Sequence, residues 1–513
     1  MSDVSSNNKR IAKNTVMLYI RMLLMTVITL YTSRVVLHAL GFEDLGIYNV
    51  VGGVISMLGF ISGSLSGATS RFITYEIGKG DNYQIEKVFR CSITIYYIFG
   101  IVVLLLAETI GIWFIKTQLV IPETRMNATM WVYQCSVITF TISIISIPYD
   151  SLLIAYEKMS AFAYISIYEA VAKLGVALLI TFISGDKLII YAILVLVIQI
   201  SRRLIYVWYS KKHFNVANPK WLWEGNLSKD LLAYAGWTMN GNLAVIGYTQ
   251  GISILLNIFF GPVINAARAL AIQIQSAVNQ FLSSFTTAIQ PQIIKTYAQE
   301  ELSNMHSLVL KGTKFSFFLT LLMVVPLCVN TEYILSLWLN DYPEYTISFT
   351  RLILLSSLST SLSRVTIQSL HATGQIKRFQ IIEGSLLLTI IPIAYICLRW
   401  FKITPNGVFI IYLLIEFFTQ FARVYIVYPL IKLPIKKYFT DILYPISKTL
   451  ILIIPTSIFL YKKLHSTTFG SLTLNVTICL ILTIISIFIL GISSSEREFL
   501  KLKIKNIVSS IKS

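Results

Sequence analysis

Long apolar runs closed by short polar breaks repeat along the whole chain. A helix needs about 20 mostly apolar residues to cross a bilayer, and fourteen stretches qualify: residues 11–31, 45–70, 89–114, 131–154, 162–183, 188–209, 231–260, 265–294, 315–338, 349–370, 381–401, 408–428, 442–461 and 472–492. Within each run the apolar positions are continuous rather than alternating, which predicts helices and not the strands of a barrel. The predicted fold class is an all-α integral membrane protein of about fourteen transmembrane helices.

The runs fall into two halves. At an offset near 220, residues 14–81 match residues 240–301. Each copy reads as a helix, a glycine beside bulky neighbours (Leu40-Gly41-Phe42; Phe260-Gly261-Pro262), a second helix rich in small and hydroxyl residues, and a basic-aromatic exit (Arg71 and Tyr75; Lys295 and Tyr297). A second echo sets Ala155-Tyr156-Glu157-Lys158, followed by Tyr164 and Glu169, against Ala372-Thr373-Gly374-Gln375, followed by Phe379 and Glu383. Six helices separate the copies, so both have the same orientation: parallel repeats about an axis along the membrane normal, a transporter plan. The expected organisation is an N-terminal six-helix bundle (1–209), a cytoplasmic linker (210–230), a C-terminal six-helix bundle (231–431), and a final helix pair with a basic tail (432–513).

Composition agrees with lipid as solvent. Mean hydropathy is +0.72 and 13% of residues are charged, about half the share of a soluble domain. The net charge of +18 reflects topology rather than nucleic acid. With both termini in the cytoplasm, 22 Lys/Arg lie in inner loops and tails and 8 in outer loops, as the positive-inside rule requires. No secretory cleavage pattern is seen, since the opening ten residues are polar and a long helix follows. The five cysteines have no metal or disulfide spacing and read as buried small hydrophobes. No P-loop, HExxH or G-x-S-x-G is present, so an enzyme is not expected; a membrane-embedded polymerase would want larger outer loops.

Here a resemblance enters. Ser33-Arg34-Val35-Val36-Leu37, Leu40-Gly41 and Leu45-Gly46-Ile47-Tyr48, together with the Ala155–Lys158 turn, are similar to the polysaccharide branch of the multidrug/oligosaccharidyl-lipid/polysaccharide (MOP) exporter superfamily, the O-antigen (Wzx-type) flippases. The resemblance implies a V-shaped pair of bundles in the bacterial inner (cytoplasmic) membrane. Its cargo would be undecaprenyl-diphosphate-linked oligosaccharide, moved from inner to outer leaflet for O-antigen, capsule or exopolysaccharide assembly. Membrane lipids and polysaccharide polymerase machinery would be its partners, with no nucleic acid, and no cofactor is expected beyond a coupling proton or Na+. A lipid II flippase and a multidrug/cation antiporter of the same fold are the alternatives.

Charges inside the helices are the candidate chemistry, because a basic residue at a helix centre costs about 2.5–3.5 kcal/mol. Twelve Lys/Arg lie within or beside the runs. Arg71, Arg90, Arg202, Arg203, Lys314, Arg351, Arg423 and Lys448 sit near helix ends, where snorkelling to headgroups is the simpler reading. Arg21, Arg268 and Arg364 are deeper. They are expected to face a shared aqueous cleft and offer forked donors to a diphosphate, a structural pair with a carboxylate being the other reading. Arg34 and Arg71 complete the substrate-binding set. Ion-coupling candidates are Glu383, Glu169 and Asp150. Glu169 can pair with Lys173 at i, i+4, whereas Glu383 has no basic residue four positions on. Asp150 follows Pro148, where a broken helix could expose carbonyls to a cation.

Overall fold

The computed structural model describes residues 2–56, 59–118, 121–339, 341–463, 468–494 and 496–498. Among them there is no strand, and each predicted run falls on one helix or, for 45–70 and 315–338, on parts of two. In chain order the helices are α1 (Ser2–Ser56), α2 (Gly59–Lys79), α3 (Asn82–Thr117), α4 (Met126–Ala155), α5 (Met159–Phe182), α6 (Lys187–His213), α7 (Gly225–Phe260), α8 (Pro262–Ala298), α9 (Leu302–Val329), α10 (Thr346–Thr373), α11 (Lys377–Phe401), α12 (Pro405–Leu430), α13 (Ile435–Lys463) and α14 (Phe469–Gly491). Eleven described helices are long and apolar enough to cross a membrane. The other three long ones, α2, α8 and α10, carry runs of Ser, Thr, Gln and Gly. Such helices suit protein or water as neighbours better than lipid.

Two boundaries differ from the hydropathy reading. The polar opening residues extend α1 instead of preceding it, and its kink falls at Gly41, whose φ of 77° and ψ of 177° no side-chain-bearing residue adopts readily. The run 315–338 is two helices. α9 stops at Val329, and Thr331–Leu339 forms a separate short helix; at the joint the Asn330 side-chain amide donates to the Pro326 carbonyl at 3.0 Å. Residues 57–58, inside the run 45–70, and residues 499–513, which hold Lys501, Lys503 and Lys505, lie outside the described residues.

The sequence echo is written into the backbone. Gly41 and Gly261, 220 positions apart, both have left-handed φ, 77° and 82°. Gly80 and Glu300, also 220 apart, end α2 and α8 with φ of 77° and 58°. Their N–H groups bond back to Ile77 and Tyr297, and the next N–H groups reach Glu76 and Thr296. Glu157 and Gly374 close α4 and α10 in the same way, at φ of 58° and 76°, with N–H bonds to Ile154 and His371. These are left-handed helix stops, which favour glycine. Glutamates fill two of them, at 157 and 300.

The chain divides into two compact units, Met1–Leu243 with Thr287–Glu301, and Ala244–Thr286 with Leu302–Ser513. The first packs Ile73, Phe89, Tyr149, Leu152, Tyr206 and Phe214 into one cluster. The second packs Tyr248, Leu256, Ala267, Phe349, Ile390 and Val408. Large apolar side chains such as Leu204, Ile258, Phe418 and Ile451 are left exposed, as expected where lipid is the solvent. The connection between α6 and α7 packs onto α3: the Leu222 N–H donates to Thr94 Oγ1 at 3.0 Å and Trp221 lies against Tyr97.

Candidate functional site

In the first unit, α4, α5 and α6 bring the acidic candidates together. Arg202 on α6 reaches Asp150 on α4 and Glu169 on α5, each at 3.3 Å. Lys173 adds 2.7 Å to Glu169 from one turn further along α5, the pairing its spacing predicts. Two carboxylates therefore meet two cations. α4 runs unbroken through Pro148, so the expectation of a broken helix offering carbonyls beside Asp150 is corrected.

Arg21, on α1, has no such partner. Its guanidinium lies 4.7 Å over the Phe162 ring, and its Nε is buried without a hydrogen bond. No described carboxylate is within ion-pair distance of it. Arg71 on α2 is buried among aromatic faces, 4.6 Å from Phe72, 4.8 Å from Tyr75 and 5.9 Å from Tyr234, contacts that offset part of the cost of a buried cation. Arg34 is exposed.

In the second unit, Arg423 on α12 is the hub. Its Nε lies 2.6 Å from Glu383 on α11, and its Nη1 and Nη2 lie 2.6 and 3.3 Å from Glu416. Glu416 is 1% exposed and Arg423 is 4% exposed, so one buried guanidinium serves two carboxylates. The pairing repeats the first unit: Glu169 with Arg202, Glu383 with Arg423, each an acid on the helix after the left-handed stop and an arginine on the helix after that. Glu383 has no basic residue four positions on along its own helix, but the fold supplies one from α12.

Arg268 and Arg364 are bonded only to neutral groups among the described residues. Arg268 Nη1 donates to Ser253 Oγ and Nη2 to the Thr249 carbonyl at 2.8 Å, while Nε is buried without a partner. Arg364 Nη2 donates to Asn279 Oδ1 at 3.2 Å.

Several basic residues expected to snorkel do not. Arg202 and Arg423 are ion-paired as above, and buried Lys314 is held by Glu496 at 2.7 and 2.9 Å. A long side chain has the reach to find an acid inside the bundle as well as a headgroup outside it. Lys448 is exposed, with its ammonium 4.1 Å over the Tyr444 ring.

Two further clusters escape sequence reasoning. Glu157, 6% exposed, is bound by Lys295 at 2.7 Å, Arg10 at 2.8 Å and the Gln292 amide at 2.7 Å. This ion cluster is what holds a glutamate in a left-handed helix stop. The signal was a Glu standing where the repeat has Gly374. Arg125 bridges Asp44, at 2.6 and 2.9 Å, and Asp186 at 2.8 Å. Asp186 also caps α6 through the Leu188 and Ile189 N–H groups. Partial burial works against its charge, but the bonds from Arg125 and those N–H groups outweigh it and hold Asp186 below the usual carboxylate range.

No family model matches the chain, and no curated protein matches it in sequence. Solved structures match in fold. An outward-facing multidrug resistance MATE family transporter of the MOP superfamily aligns over 83% of this chain and 96% of its own, with TM-score 0.73 and 14% identity. A MATE structure in the bent conformation aligns over 84% and 96%, with TM-score 0.74 and 15% identity. A MOP superfamily transporter from Pyrococcus furiosus Vc1 (DSM3638), described by the reverse polarity of its binding pocket and a suggested different function, aligns over 82% and 96%, with TM-score 0.71 and 13% identity. At these identities the likeness is one of fold: the chain has the two-part helical fold of MOP superfamily transporters.

Proposed function

We propose that this protein is a membrane transporter whose cargo is anionic, a polyprenyl-diphosphate-linked oligosaccharide flipped from the inner to the outer leaflet for surface polysaccharide assembly. One observation carries the reading. The in-helix carboxylates Asp150, Glu169, Glu383 and Glu416 are already bound to arginine, whereas Arg21, Arg268 and Arg364 have no described acid within ion-pair distance. The charge left for a ligand is therefore positive, and a guanidinium fork matches phosphate oxygens. Direction must come from an ion gradient or from consumption of the product, since a site of equal affinity in both states drives nothing.

The alternative is a multidrug or cation antiporter of the same fold; one structural neighbour is described as a multidrug resistance transporter. The Glu383–Glu416–Arg423 cluster, with two acids to one base, is where it would act. Alanine at Arg21, Arg268 and Arg364, each assayed for surface polysaccharide and for membrane abundance, separates the two. Loss of export with protein retained supports the flippase. Normal export by all three variants moves the cation exporter ahead.

A further inference from the structure

The second unit contains a pocket of about 640 Å³ that none of the candidate substrate arginines lines. Its walls come from α9, α13, α14 and the turn that follows α14. Two π-helical turns shape it, Tyr438–Leu443 in α13 and Ile487–Gly491 in α14. Such turns widen a helix locally and recur at functional sites. Close packing fixes the second one: a side chain on Gly491 would collide with Phe318 and Thr449.

The pocket is cationic. Lys314 and Glu496 cancel each other across 2.7 Å. That leaves Lys311, Lys437, Lys448 and Arg497 against the single carboxylate of Asp441. The three lysines are exposed and have no ion-pair partner among the described residues. Arg497 bonds only backbone carbonyls, those of Ile489 and Ile492, and its Nε is buried and unbonded. Apolar groups share the lining: Leu310, Pro445 and Ile489, the last 52% exposed. Cations beside exposed aliphatic surface suit a phosphate that carries an acyl chain. The charge asymmetry of the loops puts this end of the helices at the cytoplasmic surface, where anionic lipid headgroups attract lysines.

We propose that this pocket binds the phosphate-bearing headgroup of an anionic phospholipid, with Lys311, Lys437 and Lys448 as its charged contacts. The site is built on α9 and the α13–α14 pair, away from the arginines proposed to hold the cargo, so its occupant is a resident lipid.

The test uses the full chain in detergent, with retention of phosphatidylglycerol read by native mass spectrometry and by thermal shift. Wild type should retain phosphatidylglycerol and gain stability from it, but not from phosphatidylcholine. K311Q/K437Q/K448Q should bind about a hundredfold more weakly, at roughly fivefold per lysine. K211Q/K212Q, at the end of α6, should bind as wild type does. Equal retention by the triple variant, or an equal loss in K211Q/K212Q, overturns the site. A stability gain from inorganic phosphate alone, lost in the triple variant, overturns the lipid assignment in favour of a soluble phosphate.

Discussion

Lys295 Nζ donates to Glu157 Oε1 across 2.7 Å, joining the C-terminal turn of α8 to a left-handed helix stop 138 residues earlier. Glu157 is 1% exposed at its side chain and Lys295 is 15% exposed, so neither charge has water as a substitute partner. Breaking a buried pair from one side costs about 3–5 kcal/mol, because the survivor is left uncompensated. E157Q should therefore lower the melting temperature in detergent sharply, and E157Q/K295Q should recover much of the loss. Arg10, 47% exposed, contributes little, and R10Q should be nearly neutral. A double variant no better than E157Q would show that the cluster is not a coupled pair.

Arg268 and Arg364 should respond differently to lysine. Arg268 spans two acceptors, Ser253 Oγ and the Thr249 carbonyl, which no single ammonium can match in the same planar geometry. R268K should keep membrane abundance but lose about tenfold in export, the worth of roughly one charge-assisted bond. Arg364 makes a single described contact, to Asn279, and R364K should retain most export. Equal behaviour of the two would remove the fork from the account.

Acid should loosen the loop ends of α1, α4 and α6. Asp186 has a folded-state pKa held below its unfolded one. Its contribution is thus complete above the ordinary Asp value near pH 4 and is lost as pH falls through the lower folded value. Asparagine keeps the cap of α6 but not the charge, so the stability difference between wild type and D186N should shrink between pH 5 and 3 (on the order of the Asp range). A difference independent of pH would mean that the charge plays no part.

Gly41 and Gly261 should both resist alanine for a purely backbone reason, since a Cβ at either meets nothing within 4 Å. G41A should cost more, about 1–3 kcal/mol, because its ψ of 177° at positive φ belongs to a region that is essentially glycine-only. Melting temperatures of the two variants would check the order.

Both termini and the 210–230 connection should face the cytoplasm. Cysteines placed at Ser5, Asn218 and Ser509, in a background lacking the five native ones, should escape an impermeant reagent in intact cells. Labelling there would reverse the orientation drawn from the loop charges.

What could be read from the chain alone was whatever depends on neighbours in sequence. The fourteen helices were legible because the free energy of crossing a bilayer is summed over one continuous run. The halving was legible because glycines that must turn left-handed, at 41 and 261, mark the same joint in both copies. The Glu169–Lys173 pair needed only one helical turn. Tertiary structure alone decided the electrostatics. Glu383 and Arg423 are 40 positions apart, and Glu157 and Lys295 are 138 apart; nothing local tells an arginine with an acid in reach from one without. Arg423 and Arg268 look alike as single charges in apolar helices. Only packing shows that the first is neutralised and the second is not, because a long flexible side chain takes whichever counter-charge the folded neighbours place within its few ångströms of reach.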